Sequence, residues 1–470
     1  MKVQDVQLAV IGSGPAGLTA AAEAAALGIE TVVLDLYARP GGQYFHLSPP
    51  EFNVLNARGD VQQGTMLEKA ALDAGALLWN NTEVWGIYLE DGFLIGLSGA
   101  ETPRLRAQKV IIAVGAMERS LPFPGWALPG VMTAGAALAL LKNQRILAGR
   151  RFLFTGSGPL QLAAAAYLSE AGAEVHAVLE QHQFVSLLKH WRLAGNWDRT
   201  LEGWSYLSSL RQHGAKVLTG WAAVRAEGQG QVERAVIARV DRAGHPIADS
   251  EQTIEVDTIC QGYGLVPATR LSRVLGCEHI FHPVLHTYTP VRDDWLQTSV
   301  EGCFVAGDAA EIIGKNGALI EGKLAAVAAA SQLGKINQEQ ASERANELRG
   351  ALKREHSFAS RLSRAFAPKP GIRRLMEDDT VICRCEQVTL AQIKKAVRDG
   401  VDSFAGVKNY TRAGMGWCQG RMCWMNAAQV VADELDIPLE NASCHTVRPP
   451  IFPVTLGDLL EEESALEVNE

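Results

Sequence analysis

The sequence predicts an α/β protein with two dinucleotide-binding units, followed by a small domain that holds a metal centre. Two glycine-rich turns, each between an apolar strand and an alanine-rich helix, predict the two units. Four cysteines between positions 383 and 423 predict the metal centre. At roughly 150 residues per domain, the 470 residues are enough for about three domains.

Composition and charge exclude several classes of protein. Hydrophobic residues make up 47% of the chain and charged residues 20%, which excludes a disordered polyelectrolyte. The 44 basic residues against 52 acidic ones give a net charge of −8, which argues against binding to nucleic acid. No apolar run of about 18 residues could cross a membrane, and residues 1–5 lack the charged start of a secretory signal. We therefore expect a cytoplasmic protein without a transmembrane segment, which leaves open a peripheral position at the inner face of the membrane.

The first glycine-rich turn carries all parts of a dinucleotide-binding fingerprint. Residues 12–17 read Gly-Ser-Gly-Pro-Ala-Gly, after an apolar strand and before an alanine-rich helix. Gly12 permits the tight turn, Gly14 lets a pyrophosphate approach the backbone, and Gly17 lets the helix pack closely on the strand. The next apolar strand ends at Asp35, which can accept hydrogen bonds from an adenosine ribose. This unit is therefore predicted to bind a dinucleotide.

The second turn departs from the fingerprint. Residues 156–161 read Gly-Ser-Gly-Pro-Leu-Gln, and Gln161 either pushes the helix away from the strand or fills the place of the pyrophosphate. Glu180, at the end of the following strand, favours a free ribose 2′-hydroxyl over a 2′-phosphate. Gly156, Gly158 and Glu180 are therefore candidate contacts for NAD or another adenine nucleotide. The equal alternative is that this unit has kept its fold and lost its ligand.

The C-terminal cysteines have the spacing of a metal or cluster site, with C-x-C at 383–385 and C-x-x-x-x-C at 418–423. Four thiolates satisfy either a [2Fe–2S] cluster or tetrahedral zinc. The C-x-C pair is unusual for zinc, and nearby glycines and arginines can approach or offset an anionic cluster. These neighbours are Gly414, Gly416, Gly420, Arg384, Arg412 and Arg421. The [2Fe–2S] cluster is favoured, with zinc and an empty site as alternatives.

Further motifs resemble those of flavoproteins with two dinucleotide-binding domains, which have the glutathione and thioredoxin reductase-like fold. They are the strand and turn at 109–116, the Gly-Asp motif at 302–309 and the Pro-Gly-Gly-Gln run at 40–43. The resemblance implies bound FAD, with Asp308 on the ribityl chain and the helix behind it directed at the flavin pyrimidine. The implied cofactor contacts are Gly12, Gly14, Pro15, Ala16, Gly17, Asp35, Gly42, Gln43, Ala113, Gly115, Gly307 and Asp308.

Over nearly its full length the chain resembles the alpha or A subunits of heteromeric amino-acid dehydrogenases. This group includes opine oxidases, proline and hydroxyproline dehydrogenases and the B-type subunit of hydrogen cyanide synthase. The most specific stretch, residues 381–423, resembles the bacterioferritin-associated-ferredoxin-like (BFD-like) [2Fe–2S] domain, which also occurs in sarcosine oxidase alpha chains. It implies that the cluster is bound by Cys383, Cys385, Cys418 and Cys423.

The resemblance also implies a division into domains. The charged composition of residues 335–366 predicts exposed helices that join the dinucleotide-binding part to the cysteine-rich part. The expected domains are residues 1–130 with 265–334 (FAD-binding), 131–264 (second Rossmann domain), 335–378 (helical linker), 379–432 (BFD-like) and 433–470 (C-terminal tail).

The function implied is that of an oxidoreductase subunit, which carries electrons through FAD and a [2Fe–2S] cluster in a flavin-dependent dehydrogenase. In that group the C–N bond of an amino acid, imino acid or opine is oxidised on a partner beta subunit, which has an amino-acid-oxidase fold and its own FAD. The resemblance also implies further candidate components of the complex. They are a small ferredoxin-like third subunit, FMN at a subunit interface, and ATP or NAD in the second Rossmann domain. No residue of this chain is nominated as catalytic.

Two other functions remain open from the sequence. One is a stand-alone NADH-dependent flavoprotein reductase that feeds a ferredoxin-like carrier. The other is a non-catalytic scaffold whose nucleotide and metal sites only hold an assembly together. Disulfide reduction is excluded, because it needs a cysteine pair beside the flavin and no cysteine precedes Cys260.

Overall fold

The computed structural model describes the backbone of residues 3–46, 60–100, 104–183, 197–443 and 445–457, and their side chains except at 197–200. Strands and helices alternate through the first part of the chain. They are β1 (Val3–Ile11), α1 (Pro15–Ala26), β2 (Thr31–Leu34), α2 (Gly42–Phe45), α3 (Asp60–Asp73), β3 (Leu77–Trp79), β4 (Glu83–Leu89), β5 (Phe93–Ser98), β6 (Arg104–Ile112) and β7 (Ala116–Glu118).

A second set of alternating elements follows. These are β8 (Val131–Thr133), α4 (Ala134–Gln144), β9 (Arg151–Gly156), α5 (Pro159–Glu170), β10 (Glu174–Glu180), α6 (Trp197–Gln212), β11 (Lys216–Thr219), β12 (Trp221–Glu227), β13 (Arg234–Arg239), β14 (Gln252–Glu255), β15 (Thr258–Gly262) and β16 (Leu265–Pro267).

The chain then returns to the first set and ends in helices. The remaining elements are α7 (Arg270–Val274), β17 (His279–His282), β18 (Thr287–Pro290), β19 (Cys303–Val305), α8 (Gly314–Gln332), α9 (Gln338–Ala365), β20 (Val381–Cys383), β21 (Val388–Thr389), α10 (Leu390–Arg398), α11 (Phe404–Thr411), α12 (Trp424–Leu435) and α13 (Leu439–Ala442). Short 3₁₀ helices lie at Gly307–Ala309 and Pro370–Leu375.

Two sheets organise these elements, and each contains the parallel strands that its glycine-rich turn predicts. The first sheet is mixed, because β5 pairs antiparallel with both β4 and β6, and the second sheet is parallel throughout. The first has seven strands in the order β3-β2-β1-β6-β5-β4, with β19 paired in parallel to β6. The second has five strands in the order β11-β10-β9-β15-β8. Strand β7 leads from the first sheet to the second, and β16 leads back. The two strands pair antiparallel, so both crossings lie side by side.

Small residues let the helices pack closely on the first sheet. Helices α1 and α8 lie against each other, and a Cβ placed on Gly322 of α8 would come within 2.2 Å of the backbone oxygen of Ala16. Most alanines of both helices are buried and share one hydrophobic core with β1, β2 and β19. This close contact fixes the glycine-rich turn against the helix that follows the Gly-Asp motif.

The charged segment after Lys335 forms one helix of 28 residues, α9, and not exposed helices as its composition predicts. A stripe of mostly small apolar side chains is buried along it and packs on α8. These residues are Ala341, Ala345, Leu352 and Ala359. The charged residues on the other faces dominate the composition of the segment, so the composition does not reveal this stripe. Through the stripe, the helix contributes to the core of the first unit.

A buried charge network joins α9 to the Gly-Asp motif. The side chain of Glu321 is fully buried and forms a bidentate pair with Arg292, at 2.8 and 3.1 Å. The N–H of Gly307 donates to Glu321 at 2.7 Å. His356 of α9 lies between Glu311 and Glu321, with its ring nitrogens 3.1 and 3.3 Å from their oxygens. The network therefore holds the backbone at 307 in place.

The stability of the fold is expected to depend on the charge of His356. Hydrogen bonds to Glu311 and Glu321 raise the pKa of His356 from 6.5 to about 9. Since the folded pKa is the higher one, this stabilisation is full below pH 6.5 and is lost as the pH rises through about 9. We expect the free energy of unfolding to fall by about 2 kcal/mol over this interval, less than the full shift allows because the ring is partly exposed. Urea unfolding at several pH values checks this, and His356→Gln should remove the slope.

The C-terminal helices form a separate core around β20 and β21, with Ile382, Ile393, Phe404 and Val431 among its buried residues. Helix α12 continues to Leu435, across the expected boundary at 432, and the domain boundaries stay predictions. The chain then returns to the first sheet, where the N–H of Ile451 donates to the carbonyl of Trp85. None of the helices in the described part of the chain is long and apolar enough to cross a lipid bilayer.

Candidate functional site

The first glycine-rich turn has the close backbone packing that its sequence predicts. Gly12 has a φ of 100°, and a Cβ there would lie 2.6 Å from the backbone oxygen of Ala113. A Cβ on Gly17 would lie 1.8 Å from the backbone oxygen of Gly12. The turn therefore accepts no side chain at either position, and Pro15 and Ala16 begin α1 directly behind it.

Asp35 closes onto this turn from the end of β2. Its Oδ2 accepts from the N–H of Ser13 at 2.6 Å and from the Ser13 hydroxyl, while its Oδ1 accepts from the N–H of Tyr37 at 2.8 Å. The carboxylate is buried, so three donors hold it beside the glycine-rich turn. This is the position from which an acidic residue reaches an adenosine ribose in dinucleotide-binding folds.

The other predicted FAD contacts gather at the same end of the sheet. Gly42 lies over the turn so closely that a Cβ there would come within 2.8 Å of the Cα of Gly14, and Gln43 follows it on α2. Ala113 and Gly115 follow β6, and nothing lies within 4 Å of a Cβ placed on Gly115. The turn, Asp35, Gly42 and Gly115 thus all lie at the carboxyl ends of the parallel strands.

Gly307 and Asp308 complete this end of the sheet from β19. Oδ1 of Asp308 accepts from the N–H groups of Ile313 and Gly314, both at 2.9 Å, where α8 begins. Burial raises the pKa of Asp308, and the two backbone donors lower it. The other carboxylate oxygen has no hydrogen bond within the described part of the chain. Asp308 therefore both caps the helix and keeps an acceptor for a hydroxyl group.

The structure adds His46, which the sequence does not single out. Its ring is 5% exposed, and Nδ1 lies 3.1 Å from Oδ1 of Asn143 on α4. Burial and the Lys142 charge lower the pKa of His46 to about 4, so the ring is neutral. His46 connects the loop after Gly42 to the second unit. The only sequence signal is its place three residues after the Gly-Gly-Gln run.

The second nucleotide fold is closed by its own side chains. The buried carboxylate of Glu180 accepts from the N–H of Gly158 at 2.9 Å, from the N–H of His182 at 3.0 Å and from Nε2 of Gln161 at 3.3 Å. Burial raises the pKa of Glu180 to about 7. Gly156 packs so tightly that a Cβ there would lie 2.0 Å from the oxygen of Gly262. Gln161 thus turns toward Glu180, and its Nε2 shares one carboxylate oxygen with the N–H of Gly158.

Residues after α9 cover this second turn. A Cβ on Gly158 would lie 3.6 Å from the Cβ of Phe366, whose ring contacts His182 edge to face. The carbonyl of Ala367 lies 3.2 Å from Nε2 of His182. Lys369 donates from Nζ to the carbonyl of Gln181 at 2.8 Å. A four-residue segment, 366–369, therefore lies over the glycine turn where a pyrophosphate would approach.

The four C-terminal cysteines come together as two pairs of thiols. Cys383 is buried and its Sγ hydrogen-bonds with Cys423, and backbone donors that include Gly414 add to this, which lowers the pKa of Cys383 to about 6. The same bond, together with burial, raises the pKa of Cys423. Cys385 interacts with Cys418, and burial raises its pKa. Among the described residues, no three His, Cys, Asp or Glu side chains are arranged to hold a metal ion.

Glycines approach these thiols closely, whereas the predicted arginines differ in what they contact, and Arg384 lies over the ring of Trp126. A Cβ on Gly416 would lie 2.3 Å from the Cβ of Cys385, so the loop approaches this thiol without a side chain. Nε of Arg421 donates to the carbonyl of Cys418 at 3.1 Å, whereas Arg412 pairs with Glu386. The donor set, the small residues and the local positive charge fit four thiolates around a cluster.

The cysteine loop is held directly on the first nucleotide unit. Arg270 donates to the carbonyl of Gln419 at 2.8 Å and to that of Ile451 at 2.6 Å. The guanidinium of Arg273 lies over the ring of Trp424, 4.8 Å from its centroid. The charge of Arg421 also acts on the hydroxyl of Tyr37, two residues after Asp35. The thiol site and the first nucleotide site are therefore neighbours.

The family profile of the pyridine nucleotide-disulphide oxidoreductases matches residues 6–334, and that of the sarcosine oxidase A3 domain matches residues 377–461. The chain is 31% identical over 474 residues to the A subunit of opine oxidase from Agrobacterium tumefaciens, covering 96% of this chain and 91% of that protein. It is 35% identical over 423 residues to hydrogen cyanide synthase subunit HcnB of Pseudomonas aeruginosa, covering 88% and 90%. It is 26% identical to the alpha subunit of sarcosine oxidase from Rhizobium meliloti, of which it covers 42%.

Solved structures share the fold. The L-proline dehydrogenase of P. horikoshii superposes with a TM-score of 0.69 at 21% identity, over 98% of this chain and 80% of that one. The thioredoxin reductase of T. acidophilum superposes with a TM-score of 0.52 at 20% identity, over 70% and 99%. The fold predicted for the two nucleotide-binding units is thus confirmed, as is the family resemblance. The chain belongs to the pyridine nucleotide-disulphide oxidoreductases and, within them, to the family of flavin-dependent oxidoreductase subunits that contains HcnB and the A subunit of opine oxidase.

Proposed function

We propose that this chain is the FAD and [2Fe–2S] electron-transfer subunit of a heteromeric dehydrogenase, which oxidises the C–N bond of an amino acid, imino acid or opine. The observation that carries the proposal is the contact between the cysteine loop and the first nucleotide unit through Arg270. A bound flavin accepts an electron pair and can release single electrons, and a [2Fe–2S] cluster carries one electron at a time. Two such sites side by side suit a relay between a two-electron oxidation and a one-electron carrier.

The residues of the first unit fit FAD by their own packing. We propose that Gly12, Gly14 and Gly17 leave room for the pyrophosphate and that the N-terminus of α1 favours its charge. Asp35 and Asp308 offer carboxylate oxygens for ribose and ribityl hydroxyl groups. We propose that Gly42, Gln43, Ala113, Gly115 and Gly307 line the path between them, with Pro15 and Ala16 supporting the turn.

The four cysteines fit a [2Fe–2S] cluster by their chemistry. Thiolates are the ligands that both irons require, and the donors around Cys383 favour its deprotonated form. We propose Cys383, Cys385, Cys418 and Cys423 as the ligands. Zinc would fit four thiolates equally well in charge, so iron analysis has to separate the two metals.

We propose that substrate oxidation takes place on a partner subunit, because no residue of this chain stands out as a substrate-activating group. Relatives of this chain are named as subunits of larger enzymes, opine oxidase and sarcosine oxidase among them. The proposed partner is a beta subunit of the amino-acid-oxidase type with its own FAD. FMN at the interface, a small ferredoxin-like third subunit, and a cytoplasmic location with or without peripheral membrane contact remain predictions.

We propose that the second nucleotide fold does not hold NAD or ATP in the resting protein. The support is the cover that Phe366, Ala367 and Lys369 place over Gly158, with Glu180 bonded to the N–H of the same glycine. A pyrophosphate would have to displace both the aromatic ring and the buried carboxyl group. The alternative of a self-contained NADH-dependent reductase is therefore not favoured.

Phe366→Ala is expected to open this second fold. NADH or ATP should bind about tenfold more tightly to the variant than to the parent protein, because the ring no longer fills the space over Gly158. Isothermal titration calorimetry with each nucleotide measures this, and Phe366→Leu, which keeps most of the bulk, is the control. Tight binding of either nucleotide by the parent protein, or bleaching of its flavin by NADH alone, would contradict the proposal.

The function itself is tested on the intact complex. Proteins that co-purify with the tagged chain are identified, and the complex is screened with D- and L-amino acids, imino acids and opines in the presence of an artificial electron acceptor. Turnover should appear with the complex and be nearly absent from the isolated chain. If the isolated chain oxidises such a substrate at the full rate, the proposed division of labour is wrong.

A further inference from the structure

A small pocket lies at the junction of the interdomain connection and the C-terminal helices. Its walls come from the end of β7, the 3₁₀ helix Pro370–Leu375, α12 and the cysteine loop. These parts are far apart in the sequence. The side chain of Asn426 joins two of them by donating to the carbonyl of Ser120 at 2.9 Å. The pocket is therefore a property of the assembled chain.

Three arginines lie among the mostly apolar side chains that line this pocket. Arg119, Arg373 and Arg421 all line it, and so does His286, whose Nδ1 lies 3.5 Å from Nη1 of Arg373. Burial and the charge of Arg373 lower the pKa of Arg119 to about 9. Burial and the charges of Arg373 and Arg119 lower the pKa of His286 to about 3, so the ring is neutral. The guanidinium groups of Arg119 and Arg373 are thus close enough to repel each other, and a neutral imidazole lies beside Arg373.

These two arginines lack a directly paired carboxylate in the described part of the chain. Arg119 donates to the carbonyl of Leu285, and Arg373 donates to Oε1 of Gln429 at 2.6 Å. Asp433 acts on Arg373 at longer range and is bonded to Gln429. Nε of Arg373 is buried and has no hydrogen-bond partner among these residues. Buried like charges of this kind are costly unless an anion joins them.

The size of the pocket limits what that anion can be. Its volume is about 40 Å³, on a scale on which one water molecule needs about 10–15 Å³. This space suits a small tetrahedral or planar oxyanion. Glu118 also lines the pocket, and its Oε2 accepts from the N–H of Gly135 at 2.7 Å. Burial raises the pKa of this carboxyl group to about 7, which weakens its repulsion of an anion near neutral pH.

We propose that this pocket binds a small oxyanion, either inorganic phosphate or the carboxylate end of a small molecule, between Arg119 and Arg373. Guanidinium groups recognise such anions with two parallel hydrogen bonds, and the side chains of Arg119 and Arg373 both line the pocket. The bound anion ties β7 to the C-terminal helices. This inference does not depend on the proposed electron-transfer function.

Thermal unfolding of the full chain tests the proposal. Inorganic phosphate, acetate and malonate are each titrated against chloride at constant ionic strength, so that general screening is the same in every sample. Phosphate or a carboxylate should raise the melting temperature beyond chloride, and whichever acts identifies the class of ligand. If none of them acts beyond chloride, the proposal is overturned.

Two neighbouring arginines give a matched pair of variants. Arg373→Gln should weaken the binding of the active anion at least about tenfold, whereas Arg374→Gln, at the exposed next position, should leave it unchanged. Without the anion, Arg373→Gln should melt no lower than the parent protein, because it removes repulsion between like charges. If Arg373→Gln does not fold, Arg119→Lys takes its place and should show the same loss of binding. Unchanged binding in these variants would overturn the proposal.

Discussion

Replacing Cys383 with serine is expected to remove the iron from this protein and to reduce electron transfer through the complex to background. Cys383 is buried, and backbone N–H groups and Cys423 surround its sulfur, so a hydroxyl group cannot replace the thiolate there. Iron content, visible absorption and electron paramagnetic resonance of dithionite-reduced protein measure the loss. The FAD content should stay unchanged, because the first nucleotide unit has its own core.

Cys260→Ala is the control for this variant. Cys260 is fully buried in β15, in the core of the second sheet, and takes no part in the group of four thiols. Its removal should therefore leave the iron and the spectra as they are. Zinc in place of iron in the parent protein, or a rhombic signal that survives Cys383→Ser, would show that the proposed cluster ligation is wrong.

Gly17→Ala is expected to abolish FAD binding. The added Cβ would lie 1.8 Å from the backbone oxygen of Gly12, so either the turn or helix α1 has to move. Since Gly322 of α8 packs against Ala16 from the other side, α1 has no room to retreat. Flavin absorbance of the purified variant, before and after incubation with FAD, measures the loss.

Gly350→Ala provides the matched glycine substitution. Gly350 lies within helix α9 and is exposed, and nothing lies within 4 Å of a Cβ placed there. The variant should bind FAD normally and gain about 0.5–1 kcal/mol of stability, because alanine favours the helix. An FAD-replete Gly17→Ala protein would mean that the close contact at the first turn is not needed for the cofactor.

The sequence predicts those parts of the structure that depend on local patterns. The turn at Gly12 and the acid at Asp35 are set by the order strand, glycine turn, helix and strand, and the structure shows both at one end of a parallel sheet. The two cysteine motifs are local in the same way, and the fold brings Cys383 and Cys423 together.

The remaining features depend on contacts between distant parts of the chain. Phe366 lies over Gly158, but no sequence motif links the two positions, so this contact could not be predicted. The fold brings Arg119 and Arg373 to one pocket. The sequence alone does not distinguish such an arginine from one on the surface. The buried stripe of α9 consists mostly of alanines, whose low hydrophobicity hides it among charged neighbours. Such features become visible only when packing is known.

The return of the chain to the first sheet at Ile451 restricts how the cysteine-rich domain can work. Its beginning follows the segment bonded to Gln181, and its end is fastened beside Trp85 and Arg270. A domain tethered at both ends cannot swing between donor and acceptor as a mobile carrier does. If this domain carries electrons as proposed, they enter and leave it at one fixed position, and partner proteins have to come to this surface. Shortening the chain before Ile451 should loosen the whole arrangement.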